Sequence, residues 1–295
     1  MILIIGIKGL IGKKIFEHLK SINYPTLGTT RIHKFVNEVS TFYFDLSSPD
    51  LKFLKNNRYN ISHAVICSGE TNIDKCKADE NYSNLINVTN TIKLIEQLIK
   101  YQIAPIFLSS DLVFDGKRTD YTENSHYSAQ TVYGRQKIEI ENYLKKNITY
   151  SWIILRLSKV FDVQFQDGTL LTVWLDALRE RKKIKCAYDQ YISPTYVVDV
   201  CLAIVALIKA NKHGVYNLCN PNNISRFELA QMFVEYLKIN SSMIIKCSIL
   251  DLECIEPRSL YATFDSRKIC EELNLEFTSI EKCFSMIRRN YNLNE

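Results

Sequence analysis

An apolar strand, a glycine-rich turn and a helix follow one another at the start of the chain, and few folds begin in this way. Ile2–Ile5 is continuously apolar, and three glycines follow at intervals of three residues. Glycine lets the backbone turn sharply and approach a pyrophosphate, while the helix N-terminus offers free N–H groups. The alternative is a tight turn without a ligand. We expect a dinucleotide-binding turn with the contacts Gly6, Gly9, Leu10, Ile11 and Gly12.

Short apolar segments alternate with helix-like segments through the first half of the chain. The segments are nearly all apolar, as is typical of parallel strands buried on both faces. The alternation predicts an α/β fold with a doubly wound parallel sheet of the Rossmann type. Further strand candidates are Pro25–Thr29, Phe42–Phe44, Ala64–Cys67, Pro105–Leu108 and Trp152–Leu155, and helix candidates are Gly9–Lys20, Asn81–Tyr101 and Val132–Leu144.

The pattern changes after about residue 159, where helical segments are separated by polar loops. This change indicates a smaller α/β substrate-binding portion packed on the first. We assign residues 1–158 plus about 196–218 to an NADP-binding Rossmann domain, and about 159–195 plus 219–295 to the substrate-binding portion. The later helix candidates are Thr169–Arg181, Val197–Lys209, Arg226–Leu237, Ser266–Leu273 and Ile280–Arg289.

The end of the second predicted strand indicates which dinucleotide is bound. Sites that prefer NAD usually place an acidic residue there, to accept from the ribose hydroxyls. Residues 27–31 contain no acid, and Arg31 can pair with a 2′-phosphate. We expect NADP(H) to be preferred and NAD(H) to be the second choice, unless Arg31 is only a solvated surface residue. Asp45 and Leu46 are candidate adenine contacts, although Asp45 can instead cap a helix.

A tyrosine and a lysine lie four residues apart in the helix candidate Val132–Leu144. Tyr133 and Lys137 therefore share one helix face. A phenol with a pKa of about 10 is a poor acid–base group at neutral pH unless a cation stabilises its phenolate. Such pairs are common on helix surfaces, but Ser110 ends the preceding strand, at the edge where α/β sheets bind ligands. We predict a catalytic site formed by Ser110, Tyr133 and Lys137.

Together these motifs resemble those of the extended short-chain dehydrogenase/reductases that act on nucleotide sugars. The resemblance is closer to one branch, the dTDP-4-dehydrorhamnose reductase family, and extends over nearly the whole chain. The segments that carry it are Asn87–Val88, Leu108–Gly116, Asp189–Thr195, Val198–Val200, Gly214–Leu218, Pro257–Ser259 and Asp265–Ser266.

The resemblance implies reduction of the 4-keto group of a nucleotide-linked 6-deoxyhexose, for deoxysugar and polysaccharide biosynthesis. NADPH would deliver hydride to the carbonyl carbon while Tyr133 gives the oxygen a proton. Lys137 would keep Tyr133 acidic, and Ser110 would orient the oxygen. The cofactor contacts implied in this way are Cys67, Ser68, Gly69, Asn87, Ser109, Tyr133 and Lys137, and the substrate contacts are Asp111, Leu112, Val113, Gln190 and Arg258.

Single residues distinguish this chain from relatives with other activities. The 4,6-dehydratases of the superfamily follow the Ser with Asp-Glu, whereas here Asp111 is followed by Leu112, which cannot move protons. Fucose-synthase-like epimerase-reductases have a Cys at the position of Asp111. The alternative left open is a non-catalytic NADP-binding regulatory subunit, since the regulatory subunit of animal methionine adenosyltransferase has a similar Ser-Ser-Asp motif.

Two departures from the family concern the predicted sugar pocket. Leu112 stands where the family usually has Tyr, and the segment Arg156–Phe161 lacks the Trp that is often found there. Both changes leave the predicted cofactor and catalytic groups intact. The identity of the sugar is therefore left open.

Composition and charge limit the partners of the chain. The net charge of +5 includes no concentrated basic stripe, which argues against nucleic acid. No apolar run approaches the roughly 18 residues of a membrane span, and signal-peptide features are missing, so we expect a cytoplasmic protein without a membrane partner. The nine cysteines and five histidines do not cluster, so we predict no metal site. The expected partner is a nucleotide sugar, and a homodimer is one candidate assembly.

Overall fold

A sheet of seven parallel strands forms the centre of the protein, whose computed structural model describes residues 1–37, 39–55 and 59–293. The strands in chain order are β1 (Ile2–Ile5), β2 (Thr26–Thr30), β3 (Thr41–Tyr43), β4 (His63–Ile66), β5 (Ala104–Ser110), β6 (Ile153–Leu157), β7 (Val160–Phe161), β8 (Ile184–Ala187), β9 (Tyr191–Ile192), β10 (Thr195–Tyr196), β11 (Gly214–Leu218), β12 (Ile224–Ser225), β13 (Ile244–Cys247) and β14 (Tyr261–Ala262). The central sheet has the order β11-β6-β5-β4-β1-β2-β3, which confirms the predicted doubly wound α/β fold.

Helices cover both faces of this sheet. The helices of the described residues, in chain order, are α1 (Leu10–Ser21), α2 (Ile73–Ala78), α3 (Glu80–Asn84), α4 (Thr91–Lys100), α5 (Val132–Asn147), α6 (Leu170–Arg179), α7 (Val197–Lys209), α8 (Arg226–Leu237), α9 (Arg267–Leu273) and α10 (Ile280–Asn290). Because successive strand residues point to opposite faces, Ile4 packs in the same apolar cluster as Ile15 of α1. Leu3 belongs instead to the cluster of Leu94 of α4 and Ile140 of α5.

A second apolar core lies among the helices and short strands of the later part of the chain. Trp174 of α6, Phe233 of α8 and Phe284 of α10 are buried together there. Three small sheets accompany them in the described residues: β7 with β10, β9 with β12 and β14, and β8 with β13. The domain bounds assigned from the sequence stay a prediction.

The predicted helix Asn81–Tyr101 is not continuous. A π-helical turn, Leu85–Asn90, separates α3 from α4. Two side chains form hydrogen bonds at this wider turn. Thr91 Oγ1 donates to the Ile86 carbonyl (3.0 Å), and the buried Asn87 side chain donates to the Glu70 carbonyl in a neighbouring segment. Local periodicity cannot reveal this insertion, which often marks functional regions.

The described part of the chain has no helix that combines the length and the apolar character needed to cross a membrane. Within the same residues, no three His, Cys, Asp or Glu side chains are grouped so that they could hold a metal ion. All nine cysteines are free thiols.

Candidate active site

A cleft opens at the edge of the central sheet where the parallel strands end, which is where open α/β sheets bind ligands. The loops after β1, β4, β5 and β6 line it, and so do residues of the second half of the chain, among them Gln190 and Arg258. The cleft consists of two adjoining cavities. Both are lined by Gly9, Cys67, Ser68 and Gly69.

The first cavity, named here the nucleotide cavity, reaches from the glycine-rich turn to Arg31. Gly6 has a φ of +96°, which favours glycine. A Cβ on Gly12 would lie 2.3 Å from the Gly6 carbonyl oxygen, so Gly12 allows α1 to pack against the turn without itself lining the cavity. Gly9 precedes α1, and no side chain of the described residues caps this helix. Its N-terminus is therefore open to an anionic ligand.

Polar residues at the far end of the nucleotide cavity include those predicted from the sequence. Arg31 and Asp45 line it, as does Leu46. Asp45 Oδ1 accepts from the backbone N–H of Ser47 (2.8 Å), so the carboxylate also stabilises the turn after β3. Lys8 was not predicted, although it lies inside the glycine-rich turn and lines the same cavity.

Asn87, predicted as a cofactor contact, lies behind the cavities. Its Oδ1 accepts from the backbone N–H of Glu70 (2.9 Å), and its Nδ2 donates to the Glu70 carbonyl (2.9 Å) and to Gln136 Oε1 (2.8 Å). The π-helical turn aims this side chain at the loop after β4. Asn87 therefore holds the loop that carries the lining residues Ser68 and Gly69.

The second cavity, named here the reaction cavity, brings the three predicted catalytic residues together. Ser110 is the last residue of β5, whereas Tyr133 and Lys137 lie in the first two turns of α5. Lys137 Nζ lies 5.2 Å from the centroid of the Tyr133 ring and donates to the Leu108 carbonyl (2.8 Å). Ser110 Oγ donates to Asp111 Oδ1 (2.9 Å). The predicted cofactor contacts Leu10, Ile11, Cys67, Ser68, Gly69 and Ser109 also line this cavity.

The start of α5 is fixed by two acceptors. Thr131 Oγ1 accepts from the N–H of Gly134 (3.0 Å), and Glu256 Oε2 accepts from the N–H of Val132 (2.9 Å). Oxygen acceptors stabilise a helix N-terminus by satisfying its free N–H groups. Glu256, a buried residue far along the sequence, thus helps to position Tyr133, which no local pattern indicates.

Burial dominates the acid–base properties of Tyr133 and Lys137. Burial raises the pKa of Tyr133 well above its usual value, and the nearby Cys76 and Asp111 raise it further. That Lys137 keeps Tyr133 acidic stays a prediction, since burial and these neighbours act in the opposite direction. Burial lowers the pKa of Lys137 to about 8. At neutral pH the tyrosine is a neutral phenol, the form that donates a proton, and the lysine is mostly an ammonium.

Four of the five predicted substrate contacts line the reaction cavity: Asp111, Leu112, Gln190 and Arg258. Val113 is the exception, because the 3₁₀ turn Asp111–Val113 directs it inward, where it is fully buried against Phe114. The expectation that Val113 touches the substrate is thus corrected by its position in the core.

The side of the cavity lined by Gln190, Arg258 and Lys159 is named here the sugar side, after the substrate predicted from the sequence, and it carries more charge than the sequence motifs indicate. Arg258 NH2 pairs with Asp74 Oδ2 (2.7 Å), and Gln190 Nε2 donates to the Ser259 carbonyl (2.8 Å). Lys159, which follows β6, also lines the cavity and was not predicted. Burial raises the pKa of Asp111, although Lys159 opposes this rise.

A buried ion pair lies directly behind the catalytic residues. Glu141, one helical turn after Lys137, accepts from Arg156 NH2 (2.7 Å), Ser109 Oγ (2.6 Å) and Tyr127 OH (2.7 Å). The Glu141 and Arg156 side chains are both fully buried. Their bonds join α5 to β5 and β6. This pair was not predicted, and Arg156 directly follows the apolar strand candidate Trp152–Leu155.

A chain folded in this way, with its polar side chains gathered at the sheet edge where the strands end, has the doubly wound α/β architecture of dinucleotide-binding proteins. Within that class, the chain belongs to the family described as the RmlD substrate binding domain, whose family model matches residues 1–290. The family resemblance predicted from the motifs is thereby confirmed.

Relatives of the chain include named reductases. A dTDP-4-keto-6-deoxy-D-glucose reductase of Streptomyces niveus is 26% identical over 233 residues, which cover 78% of this chain and 76% of the relative. Methionine adenosyltransferase 2 subunit beta of Xenopus tropicalis is 23% identical, covering 81% of this chain and 73% of that protein. These relatives support the assignment of the chain to a reductase family of nucleotide-sugar and polysaccharide biosynthesis.

The fold also matches solved structures. The dTDP-4-dehydrorhamnose reductase of Bacillus anthracis, solved in complex with NADP, superimposes with a TM-score of 0.83. It is 20% identical, and the match covers 99% of this chain and 98% of the other. At this identity the likeness shows the fold alone.

Proposed function

We propose that this protein reduces the 4-keto group of a nucleotide-linked 6-deoxyhexose with NADPH, and so supplies deoxysugars for polysaccharide biosynthesis. The observation that carries the proposal is the meeting of Ser110, Tyr133 and Lys137 in one cavity beside the glycine-rich turn. The Streptomyces niveus relative, named for a 4-keto-6-deoxy sugar, supports this substrate class.

The residues of the nucleotide cavity fit NADP(H). The open N-terminus of α1 would accept the diphosphate, and Arg31 offers a guanidinium to a 2′-phosphate. Asp45 and Leu46 would lie against the adenine. NAD(H) fits the same backbone but would leave Arg31 without a partner, so it is the second choice. When bound, the nicotinamide supplies the hydride.

The protein's own part in the reaction is to hold the carbonyl and give it a proton. Tyr133, kept as a neutral phenol by burial, would donate its proton to the carbonyl oxygen as charge develops there. Ser110 would turn its hydroxyl from Asp111 to the same oxygen. The ammonium of Lys137 would stabilise the phenolate that forms, from a position fixed by the Leu108 carbonyl.

A non-catalytic NADP-binding regulatory subunit is the second candidate function. The relationship to methionine adenosyltransferase 2 subunit beta favours it. Against it stands the complete set of Ser110, Tyr133 and Lys137 lining an open cavity, since a binding scaffold needs no buried proton donor. The reductase is therefore the better-supported function.

The deciding experiment follows NADPH oxidation with a panel of dTDP- and UDP-linked 4-keto-6-deoxyhexoses. Turnover of any member supports the reductase. Tight NADPH binding without turnover across the panel would contradict it and favour the regulatory subunit. Mass spectrometry of co-purifying sugar nucleotides would choose the members of the panel.

Two expectations about the protein in the cell stay predictions. A homodimer would show twice the chain's mass of 34.3 kDa in sedimentation equilibrium. A cytoplasmic location would show in cell fractionation, with the protein in the same fraction as its nucleotide-sugar substrate.

A further inference from the structure

We propose that Lys159 binds an anionic group of the substrate and so helps to determine which nucleotide sugar the protein accepts. Lys159 lies between β6 and β7 and lines the reaction cavity together with Asp111 and Arg258. The inference rests on the proposed function for the kind of ligand, a nucleotide sugar, but it does not depend on the reaction.

The backbone at Lys159 has a conformation that residues with a Cβ rarely adopt. Its φ is +38°, in the left-handed region. The conformation is fixed by a hydrogen bond from the N–H of Thr195 to the Lys159 carbonyl (3.1 Å) and by the pairing of β7 with β10. Glycine would adopt it without strain, and strain of this kind gathers at ligand-binding sites. Lys159 thus carries a side chain at a position where the backbone conformation alone would favour glycine.

The ammonium of Lys159 has no partner in the part of the chain that the structure describes: no hydrogen bond or ion pair there involves its Nζ. The side chain is exposed within the cleft. Asp111 attracts it at longer range, but the Asp111 carboxylate already accepts from Ser110 (2.9 Å). Lys159 is therefore free to bind an anion that enters the cavity.

Two arginines make this end of the cleft more positive. Although the Lys159 side chain is open to solvent, the protein around the cleft displaces part of the water near it and lowers its pKa, and Arg226 lowers the pKa further. Arg258 pairs with Asp74 through NH2, and Arg226 NH1 donates to Gln190 Oε1 (3.2 Å). Arg258 NH1 and Arg226 Nε are buried with no hydrogen-bond partner among the described residues. Buried donors without acceptors are costly, and an oxyanion in the cavity would be within reach of Arg258, which lines it.

Two groups could supply this oxyanion: the diphosphate, which the proposed 6-deoxyhexose substrate carries, or a carboxylate on the hexose, which would mean a hexuronate in place of the 6-deoxyhexose. Both accept charge-assisted hydrogen bonds from an ammonium. Because Lys159 shares its cavity with Ser110 and Tyr133, either anion would also fix the sugar relative to the catalytic groups. The two sources are separated by ligands that differ in only one of these groups.

The test is calorimetric titration of the protein saturated with NADP⁺, which permits binding without turnover. UDP, UDP-glucose, UDP-glucuronate and dTDP-glucose are titrated into the wild type, Lys159→Met and Lys159→Arg. The matched control is Lys185→Met, which removes an exposed lysine from β8, outside the cavity. Lys159→Met should weaken binding by roughly 10- to 100-fold, the size of a charge-assisted contact, whereas Lys159→Arg and the control should bind nearly as the wild type does.

The pattern of losses identifies the anion. Equal losses for UDP, UDP-glucose and UDP-glucuronate support the diphosphate, and a loss confined to UDP-glucuronate supports a carboxylate on the sugar. Unchanged affinities in Lys159→Met overturn the inference, and so does a wild type that binds NADP⁺ but none of these ligands.

Lys159→Gly separates binding from a structural role. Because glycine relieves the left-handed strain, this variant should keep or raise the melting temperature while losing affinity; a lower melting temperature with unchanged affinity would assign Lys159 to the fold. Binding that depends on Lys159 without any NADPH oxidation would contradict the proposed reductase and leave this inference standing. NADPH oxidation together with binding that Lys159→Met leaves unchanged would support the proposed reductase and contradict this inference.

Discussion

The two sides of the reaction cavity differ in how their charged groups are held. On the catalytic side, Lys137 is bonded to the Leu108 carbonyl, and Glu141 behind it is bound by Arg156. On the sugar side, Lys159 has no partner in the described residues, and Arg258 leaves a buried NH1 unpaired there. Lys137 and Glu141 are thus held by partners within the protein, whereas Lys159 and Arg258 keep donors that a ligand could bind.

This difference suggests that one side of the cavity determines the rate of the proposed reaction and the other side determines which ligand is bound. Groups held in place before the substrate arrives need no reorganisation when charge develops. Donors without partners gain most from the ligand that satisfies them. Substitutions on the catalytic side should therefore change rate or stability, and substitutions at the ligand-binding ends of the cleft should change affinity.

Tyr133→Phe should have the largest effect on rate. Removing the proton donor should lower kcat by about 10²- to 10⁴-fold, while NADPH affinity stays nearly unchanged because the ring still fills its place. Stopped-flow NADPH oxidation and a fluorescence titration measure the two quantities. Tyr143→Phe is the matched control, since Tyr143 lies on the same helix with its hydroxyl bonded to Glu96 at the surface. Activity retained by Tyr133→Phe would remove Tyr133 from its proposed role.

Glu141→Gln should lower the stability of the protein, because it removes a charge from the buried ion pair behind Lys137. It leaves the Arg156 guanidinium buried without its counter-ion, which costs about 3–5 kcal/mol in the free energy of unfolding. Urea unfolding measures the loss. Glu139→Gln, an exposed change on the same helix, should lie within about 0.5 kcal/mol of the wild type. If the two variants were equally stable, the buried pair would not hold α5 in place.

The features that the sequence predicted are those that depend on nearby residues. The apolar strands, the turn at Gly6, Gly9 and Gly12, and the spacing of Tyr133 and Lys137 are each visible within a few residues, because a strand or helix sets which positions share a face. The edge of the sheet to which Ser110 belongs follows from parallel topology. These parts of the cleft could be predicted without knowledge of contacts between distant segments.

The features that the sequence missed depend on contacts between distant segments. Glu141 meets Arg156 only when α5 packs on β6, and Glu256 reaches the start of α5 from the C-terminal third. The π-helical turn around Asn87 serves the loop after β4, which helix periodicity cannot show. Lys159 lies in the segment Arg156–Phe161, which was assigned to the predicted sugar pocket, but only the fold shows that its side chain lines the cavity.

Arg31→Ala should affect affinity at the nucleotide end of the cleft. The loss of a charge-assisted contact to a 2′-phosphate should weaken NADPH by about 1–3 kcal/mol and leave NADH much less affected. Calorimetric titration of both cofactors gives the ratio, with Lys34→Ala as the control for a nearby exposed cation. Equal losses for NADPH and NADH would contradict the preference for NADP(H).

The smallest expected effect is the alkaline pH dependence set by Lys137. Its pKa of about 8 means that the ammonium is lost as pH rises through 8, so kcat should fall by about fourfold between pH 7 and 8.5. Stability should change in the opposite direction. The unfolded lysine holds its proton up to about 10.5, so the unfolded state binds more protons between about pH 8 and 10.5, and the free energy of unfolding rises with pH there.

Lys137→Met tests whether Lys137 causes this pH dependence. The variant has no charge to lose, so its stability should not rise through this alkaline window, and its low residual rate should lack the alkaline fall. Unfolding measured at pH 7.5 and 9.5 with wild type and variant side by side tests the first point. If the wild type gained no stability over the variant, the ammonium would not be buried at a cost, and the catalytic side would owe its order to Glu141 and Arg156 rather than to Lys137.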